Sequence, residues 1–329
     1  MSNRPLISVI VPIYNVQNWL TACLDSLAAQ AFDSVEILFV NDGSTDGSEK
    51  ILNEFSATYS HAHVINQLHS GLAAARATGV AQARGEYITF VDGDDTISPE
   101  YLAALYQTAQ DTRAPLVVAP LIKFAGEIPM QFSVPPLFKG GELSGKKRVN
   151  IFEDGSAAMA LCGKLIAREL AHKLTWQAST LSNAEDIAPA AALISRADKI
   201  AFAPNAHYFY RQRENSQSHS GEKRFISLAE GFLQARNILK QHGTYTDLAA
   251  GFEYIFRVAL CSFMEKYGIT GEEEQFLRTH RDELQIPPGT FATRPLKFRL
   301  RQYLFEKSLK GSFSYSRLMR FLRRLFYRA

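Results

Sequence analysis

Apolar and polar positions alternate with two different periods along the first 110 residues of this 329-residue chain. Short β-branched and aromatic runs, typical of buried strands, are each followed by a stretch with the apolar spacing of a helix. The strand and helix pairs are LISVIVPIY with NVQNWLTACLDSLAAQ, SVEILFV with DGSEKILNEFSATY, HAHVINQ with GLAAARATGVAQA, and EYITFVD with SPEYLAALYQTAQ. Four such units predict a parallel, right-handed, doubly wound α/β sheet.

Two of these helices begin with local capping signals. Asp46 and Glu49 resemble a capping box before the second helix. Ser98 is predicted to be the N-cap of the fourth helix, with Pro99 at its first position. Both signals place the start of a helix shortly after the end of a predicted strand.

The pattern changes after residue 120. Segments with Pro and Gly at 126–146 predict a hairpin or loop insertion, and mixed helix and strand patterns then continue to about residue 213. From Lys223 onward the periodicity is helical. We therefore divide the chain into an α/β domain at 1–220 with halves 1–115 and 116–220, a helical region at 221–293, and a tail at 294–329.

The net charge of +3 hides an uneven distribution. Residues 294–329 hold eleven Lys or Arg and one Glu, which leaves 25 basic and 32 acidic residues elsewhere. Residues 314–329 have the spacing of an amphipathic helix. Its predicted apolar face carries Leu318, Phe321, Leu322, Leu325 and Phe326, and its basic face carries Arg317, Arg320, Arg323 and Arg324. This basic amphipathic helix is typical of anionic membrane surfaces; the alternative is docking on its own protein or on a second copy in a homo-oligomer.

Cysteine content and hydropathy indicate the compartment. Cys23, Cys162 and Cys261 are widely spaced without a C-x-x-C pair, so we expect buried thiols and neither a disulfide framework nor a zinc site. No apolar run reaches the roughly 18 residues of a membrane span, and the first residues lack the layout of a signal peptide. We expect a cytoplasmic protein, held peripherally on the inner face of the cell membrane by its tail.

Acidic residues directly follow two of the predicted strands. In GEYITFVDGDD these are Asp92, Asp94 and Asp95, and in FVNDGSTDGS Asp42 ends the second strand. Because ligands bind outside the carboxyl ends of parallel strands, we expect the two strands to be neighbours and their carboxylates to share a site. Converging like charges favour a hard cation, Mg²⁺ or Mn²⁺, bound together with substrate phosphates. The alternative is simple turn formation, which we accept for Asp46.

Four motifs in this order resemble those of the family 2 glycosyltransferases, which have the GT-A fold: ISVIVPIYN, VEILFVNDGSTDGS, HSGLAAARATGVAQARGEYITFVDGDD and NAED. The resemblance is dense from residue 6 to about 110 and thinner to about 216. It implies a GT-A Rossmann-like domain that transfers a sugar, usually from a UDP-sugar, with Mn²⁺ or Mg²⁺ and inversion at the anomeric carbon. A bacterial surface glycan such as lipopolysaccharide or capsule, often lipid-linked, is the implied acceptor.

The resemblance also implies which residues bind the donor. Pro12, Tyr14 and Asn15 would line the nucleobase pocket, and Asp42 would accept a hydrogen bond from the base. Arg76 matches the helix arginine beside the donor, although the family commonly has Asn at the next position, where this chain has Ala. The alternative for Arg76 is a solvated charge on a helix.

The resemblance also implies a second group of residues, which would bind the metal and the departing phosphates. Asp92 and Gly93 would lie near the ribose, and Asp94 would bind the metal with Asp92 close by. His207 and Arg211, in HYFYR, would face the metal and the phosphates, where positive charge stabilises a leaving group. The same stretch alternates as any half-buried strand does, and that alternative stays open.

The transfer also needs a base for the acceptor hydroxyl. The resemblance assigns Asp186 as this base and Glu185 as a neighbour that holds the acceptor. Two acids before an apolar helix also serve as ordinary capping and dipole partners.

Two other classes of protein remain as alternatives. A sugar nucleotidyltransferase would share the sheet and the acids but would be expected to have a Gly-rich loop with Lys or Arg after the first strand, where this chain has PIYNVQN. A nucleic-acid-binding protein would use the basic tail, but the acidic body lacks interleaved aromatic and basic strands. We therefore expect no nucleic acid among the partners.

Overall fold

The structure is a computed structural model that describes residues 4–129, 136–139, 141–174, 176, 184–212, 224–267, 271–280 and 282–284. In this part of the chain the strands are β1 Ile7–Ile13, β2 Val35–Asp42, β3 Ala62–Gln67, β4 Tyr87–Phe90, β5 Thr96–Ile97, β6 Leu116–Val118, β7 Leu121–Phe124, β8 Glu142–Ser144, β9 Lys164–Ala167, β10 Lys199–Phe202 and β11 Tyr208–Arg211. The helices are α1 Gln17–Ala28, α2 Ser48–Thr58, α3 Leu72–Gln82, α4 Tyr101–Thr112, α5 Gly155–Met159, α6 Arg168–His172, α7 Ile187–Arg196, α8 Arg224–Gln241, α9 Tyr245–Tyr267 and α10 Gly271–Thr279. Two 3-10 segments lie at Pro136–Lys139 and Gly145–Glu153.

The main sheet has eight strands in the order β3-β2-β1-β4-β9-β6-β10-β8. The first four are parallel, as the four strand-helix units predict. Beyond β4 the sheet is mixed, because β9 runs antiparallel to both β4 and β6, and β8 runs antiparallel to β10. The sheet therefore continues across the predicted division between residues 115 and 116.

The strand order corrects one expectation. The two strands that end in acid, β2 and β4, are not neighbours, because β1 lies between them and pairs with both. The carboxyl ends of all three strands still open on the same edge of the sheet. Acids on β2 and β4 therefore stand on either side of the loop that follows β1.

Helices cover both faces of the sheet, and β1 shows why its apolar run is continuous. Val9 and Val11 belong to the core shared with α1 and α4, whereas Ile10 belongs to the core shared with α3, α7 and α8. A strand buried on both faces has no solvent side and hence no polar alternation.

Helix α3 lies unusually close to β1. A Cβ atom added at Gly79 would come within 2.3 Å of the Ile10 side chain, so glycine permits the contact. This approach carries Arg76, one turn earlier on α3, to the carboxyl edge of the sheet.

The capping predictions are partly wrong. Helix α4 begins at Tyr101, because the Ser98 hydroxyl instead accepts the His207 N–H at 3.3 Å. The Gln30 side chain, at the end of α1, accepts the Leu102 N–H at 3.1 Å in its place. At α2, one Asp46 oxygen accepts the Ser48 N–H at 3.0 Å as a turn residue would, whereas Glu49 bonds to the side chain of Asn66.

The described residues between 224 and 284 are mainly helical, as predicted. Helix α8 packs on α7 and α9, and a buried Arg236–Glu253 pair joins α8 to α9 with 2.6 Å hydrogen bonds. The proposed boundary at residue 220 and the tail at 294–329 lie outside the described residues, so both stay predictions. Cys23, Cys162 and Cys261 are free and buried, as expected. Among the described helices, none has the length and apolar character needed to span a membrane.

Candidate active site

A cavity of about 680 Å³ opens at the carboxyl edge of the main sheet. It collects most of the residues that the sequence singled out: Pro12, Tyr14, Asn15, Asp42, Arg76, Asp92, Gly93, Asp94, Glu185 and Asp186. These side chains come from the ends of β1, β2 and β4, from α3, and from the segment before α7. Residues more than 170 positions apart in sequence therefore share one cavity.

One end of the cavity is aromatic. The rings of Tyr14 and His69 are stacked, with centroids 4.0 Å apart and an interplanar angle of 18°. The sequence patterns assigned no role to His69, although it is the first residue of the HSGLAAARATGVAQARGEYITFVDGDD motif, two positions after β3. Tyr14 is 37% exposed, so this end presents a partly open aromatic surface to a planar ligand.

The Asp42 carboxylate organises the loop beside that surface. It is buried and accepts hydrogen bonds from three protein groups: the N–H groups of Ser70 and Gly71 at 2.9 and 2.8 Å and Gln67 Nε2 at 2.7 Å. His69 Nδ1 lies 2.9 Å from Asp42 Oδ2 and makes its hydrogen bond to the Asp42 backbone oxygen at 3.1 Å. A carboxylate offers about four acceptor positions, so these three donors occupy most of its capacity.

Asn15 fixes the loop that follows β1. Its backbone has a φ of 52°, in the left-handed region that asparagine tolerates better than most residues. Its side-chain oxygen accepts the Thr45 N–H at 2.8 Å, and its own N–H donates to the Ser44 hydroxyl at 3.2 Å. Asn15 thus ties the loop after β1 to the loop after β2, which holds Tyr14 in place.

The three aspartates of the acidic loop after β4 have two different surroundings. Asp92 and Asp94 line the cavity, whereas Asp95 is buried and accepts the Tyr208 hydroxyl and the Arg211 N–H, both at 2.8 Å. Burial, and then the charges of Asp94 and Asp92, raise the pKa of Asp95 well above its usual range. Asp95 is therefore a structural anchor of the loop, which corrects its grouping with the two site acids.

Arg211 and His207 do not line the cavity, contrary to what the resemblance implies for them. Arg211 lies over the Phe124 ring at 4.6 Å and donates from Nε to the Asp94 backbone oxygen at 2.9 Å. It therefore stabilises the acidic loop without lining the cavity. His207 lies beside Phe209, and burial lowers its pKa. The cavity geometry thus gives no support to His207 as a metal ligand.

The buried guanidinium of Arg76 links the two acidic parts of the cavity. It donates to Asp92 Oδ1 at 2.9 Å and, through its other terminal nitrogen, to Asp186 Oδ1. Only 2% of its side chain is exposed, so the alternative of a solvated helix charge is wrong. Burial alone would lower the pKa of Arg76, but the charges of Asp186 and Asp92 raise it above its ordinary value.

Asp186 and Glu185 have different surroundings despite being adjacent. The second oxygen of Asp186 accepts the Leu161 N–H at 3.1 Å, so both of its oxygens have protein partners. Burial raises the pKa of Asp186, and the charge of Arg76 opposes that rise. Burial, and then the charge of Asp186, raise the pKa of Glu185 to about 7, and Glu185 Oε2 is buried without a hydrogen-bond partner in the described part of the chain.

Further lining residues had no role assigned from the sequence. Lys123, on β7, and Tyr210, on β11, reach the cavity from the small sheet β5-β11-β7. Cys162 lines its floor, and burial raises the pKa of its thiol well above the usual range. These positions follow from strand pairing between segments distant in sequence, which no local pattern reports.

The donor set of the cavity fits a magnesium-type cation that is completed by substrate. No group of three or more His, Cys, Asp or Glu side chains suited to a metal ion occurs in the described part of the chain. Asp94 and Asp92 nevertheless offer carboxylate oxygens on one wall of an open cavity. Mg²⁺ and Mn²⁺ commonly bind through one or two carboxylates plus phosphate oxygens, so these two residues suffice for such a site.

The fold and cavity define an α/β protein with an aromatic surface, an acidic loop and a second carboxylate pair at the carboxyl edge of a mixed sheet. Residues 8–166 match the family described as Glycosyl transferase family 2. Solved structures support the GT-A fold. Residues 1–349 of S. aureus TarS, in complex with UDP-GlcNAc, superpose with a TM-score of 0.75 at 21% identity, covering 97% of this chain and 91% of that one. Pyrobaculum calidifontis mannosyltransferase PcManGT, with GDP-Man and Mn²⁺, gives a TM-score of 0.52 at 16% identity, covering 99% and 88%.

Curated relatives are bacterial glycosyltransferases. Glycosyltransferase GlyA of Streptococcus pneumoniae is 34% identical over 220 residues, which are 64% of this chain and 31% of GlyA. The uncharacterized glycosyltransferase EpsJ of Bacillus subtilis is 42% identical over 113 residues, 34% of this chain and 33% of EpsJ. The chain thus spans about a third of the length of these two relatives. The cholesterol galactosyltransferase of Borreliella burgdorferi is 29% identical over 223 residues, 65% of this chain and 62% of that protein.

Proposed function

We propose that this chain transfers a sugar from a nucleotide-diphospho-sugar, with UDP as its nucleotide, to a hydroxyl group of a bacterial surface glycan such as lipopolysaccharide or capsule. One observation carries the proposal: a single cavity joins an aromatic surface at Tyr14, a pair of acids at Asp92 and Asp94, and the carboxylates of Glu185 and Asp186. These are the three groups that bind a base, a diphosphate and an acceptor hydroxyl. The family and the names of the bacterial relatives support the same reaction class.

The donor would lie along the cavity from Tyr14 to the acidic loop. Its base would stack on the Tyr14 ring, and its diphosphate would reach Asp92 and Asp94. A divalent cation, Mn²⁺ or Mg²⁺, held by Asp94 with Asp92 nearby, would neutralise the phosphate charge that develops as the sugar leaves. Gly93 between these acids leaves no side chain in the way, since an added Cβ would lie 2.5 Å from Ile13.

The acceptor would enter from the side of Glu185 and Asp186. We propose Asp186 as the base that takes the proton of the acceptor hydroxyl, in a single displacement that inverts the anomeric carbon. Arg76 orients Asp186 and joins it to Asp92 on the donor side. Glu185 Oε2, which lacks a partner among the described residues, is suited to hold the acceptor hydroxyl.

The test measures free UDP after incubation of the full chain with UDP-sugars and an acceptor. We expect EDTA to abolish UDP release and Mn²⁺ or Mg²⁺ to restore it. Asp94→Asn should lose turnover and should weaken UDP binding only when metal is present. Asp25→Asn, at an exposed acid on α1 away from the cavity, is the matched control and should behave as wild type.

Two results would contradict the proposal. Undiminished turnover in the presence of chelator would show that transfer does not need a divalent cation. Pyrophosphate release from UTP and a sugar phosphate, without UDP release from UDP-sugars, identifies a nucleotidyltransferase instead.

We also propose that residues 314–329 bind an anionic membrane surface, on the basis of their sequence pattern alone. Full-length protein should sediment with vesicles that contain anionic lipid at low salt, and this binding should weaken as salt increases. Vesicles of neutral lipid are the control. Failure to bind anionic vesicles at low salt would make the helix a structural element of the protein.

A further inference from the structure

A second cavity, of about 590 Å³, adjoins the first. Arg76 and Glu185 line both cavities, so the two spaces meet at these two residues. Helices α7 and α8 form its long walls, and Trp176 closes one side. We call this space the α7–α8 groove.

One end of the groove meets the first cavity at Arg76 and Glu185, and α8 packs there against the chain just before Glu185, where a Cβ added at Gly231 would lie 2.9 Å from the Ala184 side chain. Near the other end lie Arg196, which is exposed, and His242, which is partly exposed. From Glu185 to Arg196 the groove follows α7 for about 16 Å at 1.5 Å per residue, which is long enough for an extended ligand.

The two walls differ in chemistry. On α7, small side chains at Ala188 and Ala192 leave room beside the helix. On α8, exposed amides at Gln234, Asn237 and Gln241 recur at i, i+3 and i+7 and therefore share one face. In the described part of the chain, no hydrogen bond between these three amides and another residue is present.

Primary amides and an aromatic ring are suited to a sugar chain. Each amide supplies two N–H donors and one carbonyl acceptor, which match hydroxyl groups that both donate and accept. The Trp176 ring is held in place by its N–H bond to the Ala171 oxygen at 2.8 Å and by the Phe90 ring at 5.5 Å. A fixed aromatic face provides apolar contact for the C–H surface of a sugar ring at little cost in conformational entropy.

The junction with the first cavity explains what such a chain would do there. Glu185 Oε2 is buried without a partner in the described part of the chain, and it lies where the groove meets the cavity. A hydroxyl at the end of a chain in the groove would supply the missing hydrogen bond. That hydroxyl would then stand beside Asp186.

We propose that the α7–α8 groove binds the acceptor as an extended glycan of more than one sugar unit and presents its terminal hydroxyl to Glu185 and Asp186. The groove thus deepens the proposed transferase function by defining its acceptor as a chain and not a single sugar. The helical region after residue 223 then contributes to substrate selection through α8.

The test uses the full-length protein, saturated with UDP, on an array of neutral and acidic oligosaccharides of one to four units. The triple variant Gln234→Ala, Asn237→Ala and Gln241→Ala should bind chains of two or more units at least about tenfold more weakly, because three hydrogen-bonding groups are lost. UDP affinity and slow hydrolysis of UDP-sugars should stay at wild-type values, since none of the three side chains lines the donor cavity.

A matched control removes the same chemistry elsewhere. The triple variant Asn53→Ala, Gln82→Ala and Gln107→Ala deletes one Asn and two Gln from exposed helix positions outside the groove, and it should retain glycan binding. A second variant, Ala188→Trp, fills the groove from α7 and should give the same loss as the amide deletions.

Three outcomes would overturn the proposal: wild-type protein that binds no glycan on the array, equal affinity for single sugars and chains, or amide deletions within twofold of the control. Failure of the proposed transferase function can be distinguished from failure of the groove proposal. In that case the protein would neither hydrolyse any UDP-sugar nor bind UDP, and both of these activities are independent of the groove.

Discussion

Replacement of Arg76 by methionine tests whether this buried cation holds the candidate site together. The side chain of Arg76 is 2% exposed, and its guanidinium bonds to Asp92 and Asp186, which are 21% and 23% exposed. Methionine has a similar length and fills the space without charge. The variant therefore leaves two carboxylates close together without their shared partner, in surroundings that already raise the pKa of Asp186 through burial.

The expected loss of stability follows from the desolvation of those charges. Removing one partner of a buried ion pair costs about 3–5 kcal/mol because the other charge stays buried and uncompensated. At roughly 2.1 cal/mol/K of unfolding entropy per residue, 1 kcal/mol shifts the melting temperature of this 329-residue chain by roughly 1.4 °C, so we expect a decrease of about 4–7 °C. Arg76→Lys should fall between methionine and wild type, since one ammonium group cannot match the planar fork that reaches both acids.

The matched control removes a cation of the same charge from the surface. Lys50 lies 3.9 Å from Glu54 on α2, and its side chain is 82% exposed. Because exposed pairs one helical turn apart contribute little, Lys50→Met should shift the melting temperature by less than about 2 °C. Both variants change the net charge equally, so their difference isolates burial.

Thermal unfolding followed by circular dichroism measures the effect. The double variant Arg76→Met, Asp186→Asn should melt above Arg76→Met alone, because it removes one of the two uncompensated charges. If Arg76→Met melts within 2 °C of Lys50→Met, the buried network is not what holds the site, and the reasoning fails.

Three further predictions concern titration and chemistry. Asp186→Asn should reduce turnover by on the order of 10² to 10⁴ with nearly unchanged UDP affinity, and wild-type turnover would move the role of base elsewhere. Since the pKa of Glu185 is raised to about 7, kcat/KM should rise with pH through that value, and Glu185→Gln should flatten the rise; an unchanged profile would exclude Glu185. Burial, and then the charge of Arg196, lower the pKa of His242 below its ordinary 6.5, so the unfolded chain binds its proton more readily. The stabilising effect of a neutral His242 should therefore be complete above pH 6.5 and should be lost as the pH falls below 6.5. The melting temperature of His242→Gln should not show this part of the decrease at low pH.

Local sequence patterns predicted the parallel half of the fold and the residues of one cavity wall. The strands β1 to β4 and the helices α1 to α4 appear where the apolar periods place them, with an error of a few residues at their ends. Asp42, Asp92 and Asp94 follow their strands directly, so the chain itself positions them at the carboxyl edge. These features depend on contacts between near neighbours, which the order of residues determines.

Long-range contacts decided what the sequence left open. Ser98 has the chemistry of an N-cap, but pairing with His207 engages its hydroxyl, and no local pattern reports a partner 109 positions away. Likewise Asp95 and Asp94 are adjacent acids, yet Tyr208 and the backbone of Arg211 bury the first and leave the second in the cavity.

The sequence by itself determined that this chain forms an α/β sheet with acids at the ends of its strands, because strand and helix periods are local and repeat four times. Only the tertiary structure decided that β1 separates the two acidic strands, that Arg76 is buried between Asp92 and Asp186, and that α8 forms one wall of a groove beside Glu185. The physical reason is that burial and charge pairing depend on which distant segments meet. A side chain such as Arg76 looks the same in sequence whether water or two carboxylates surround it.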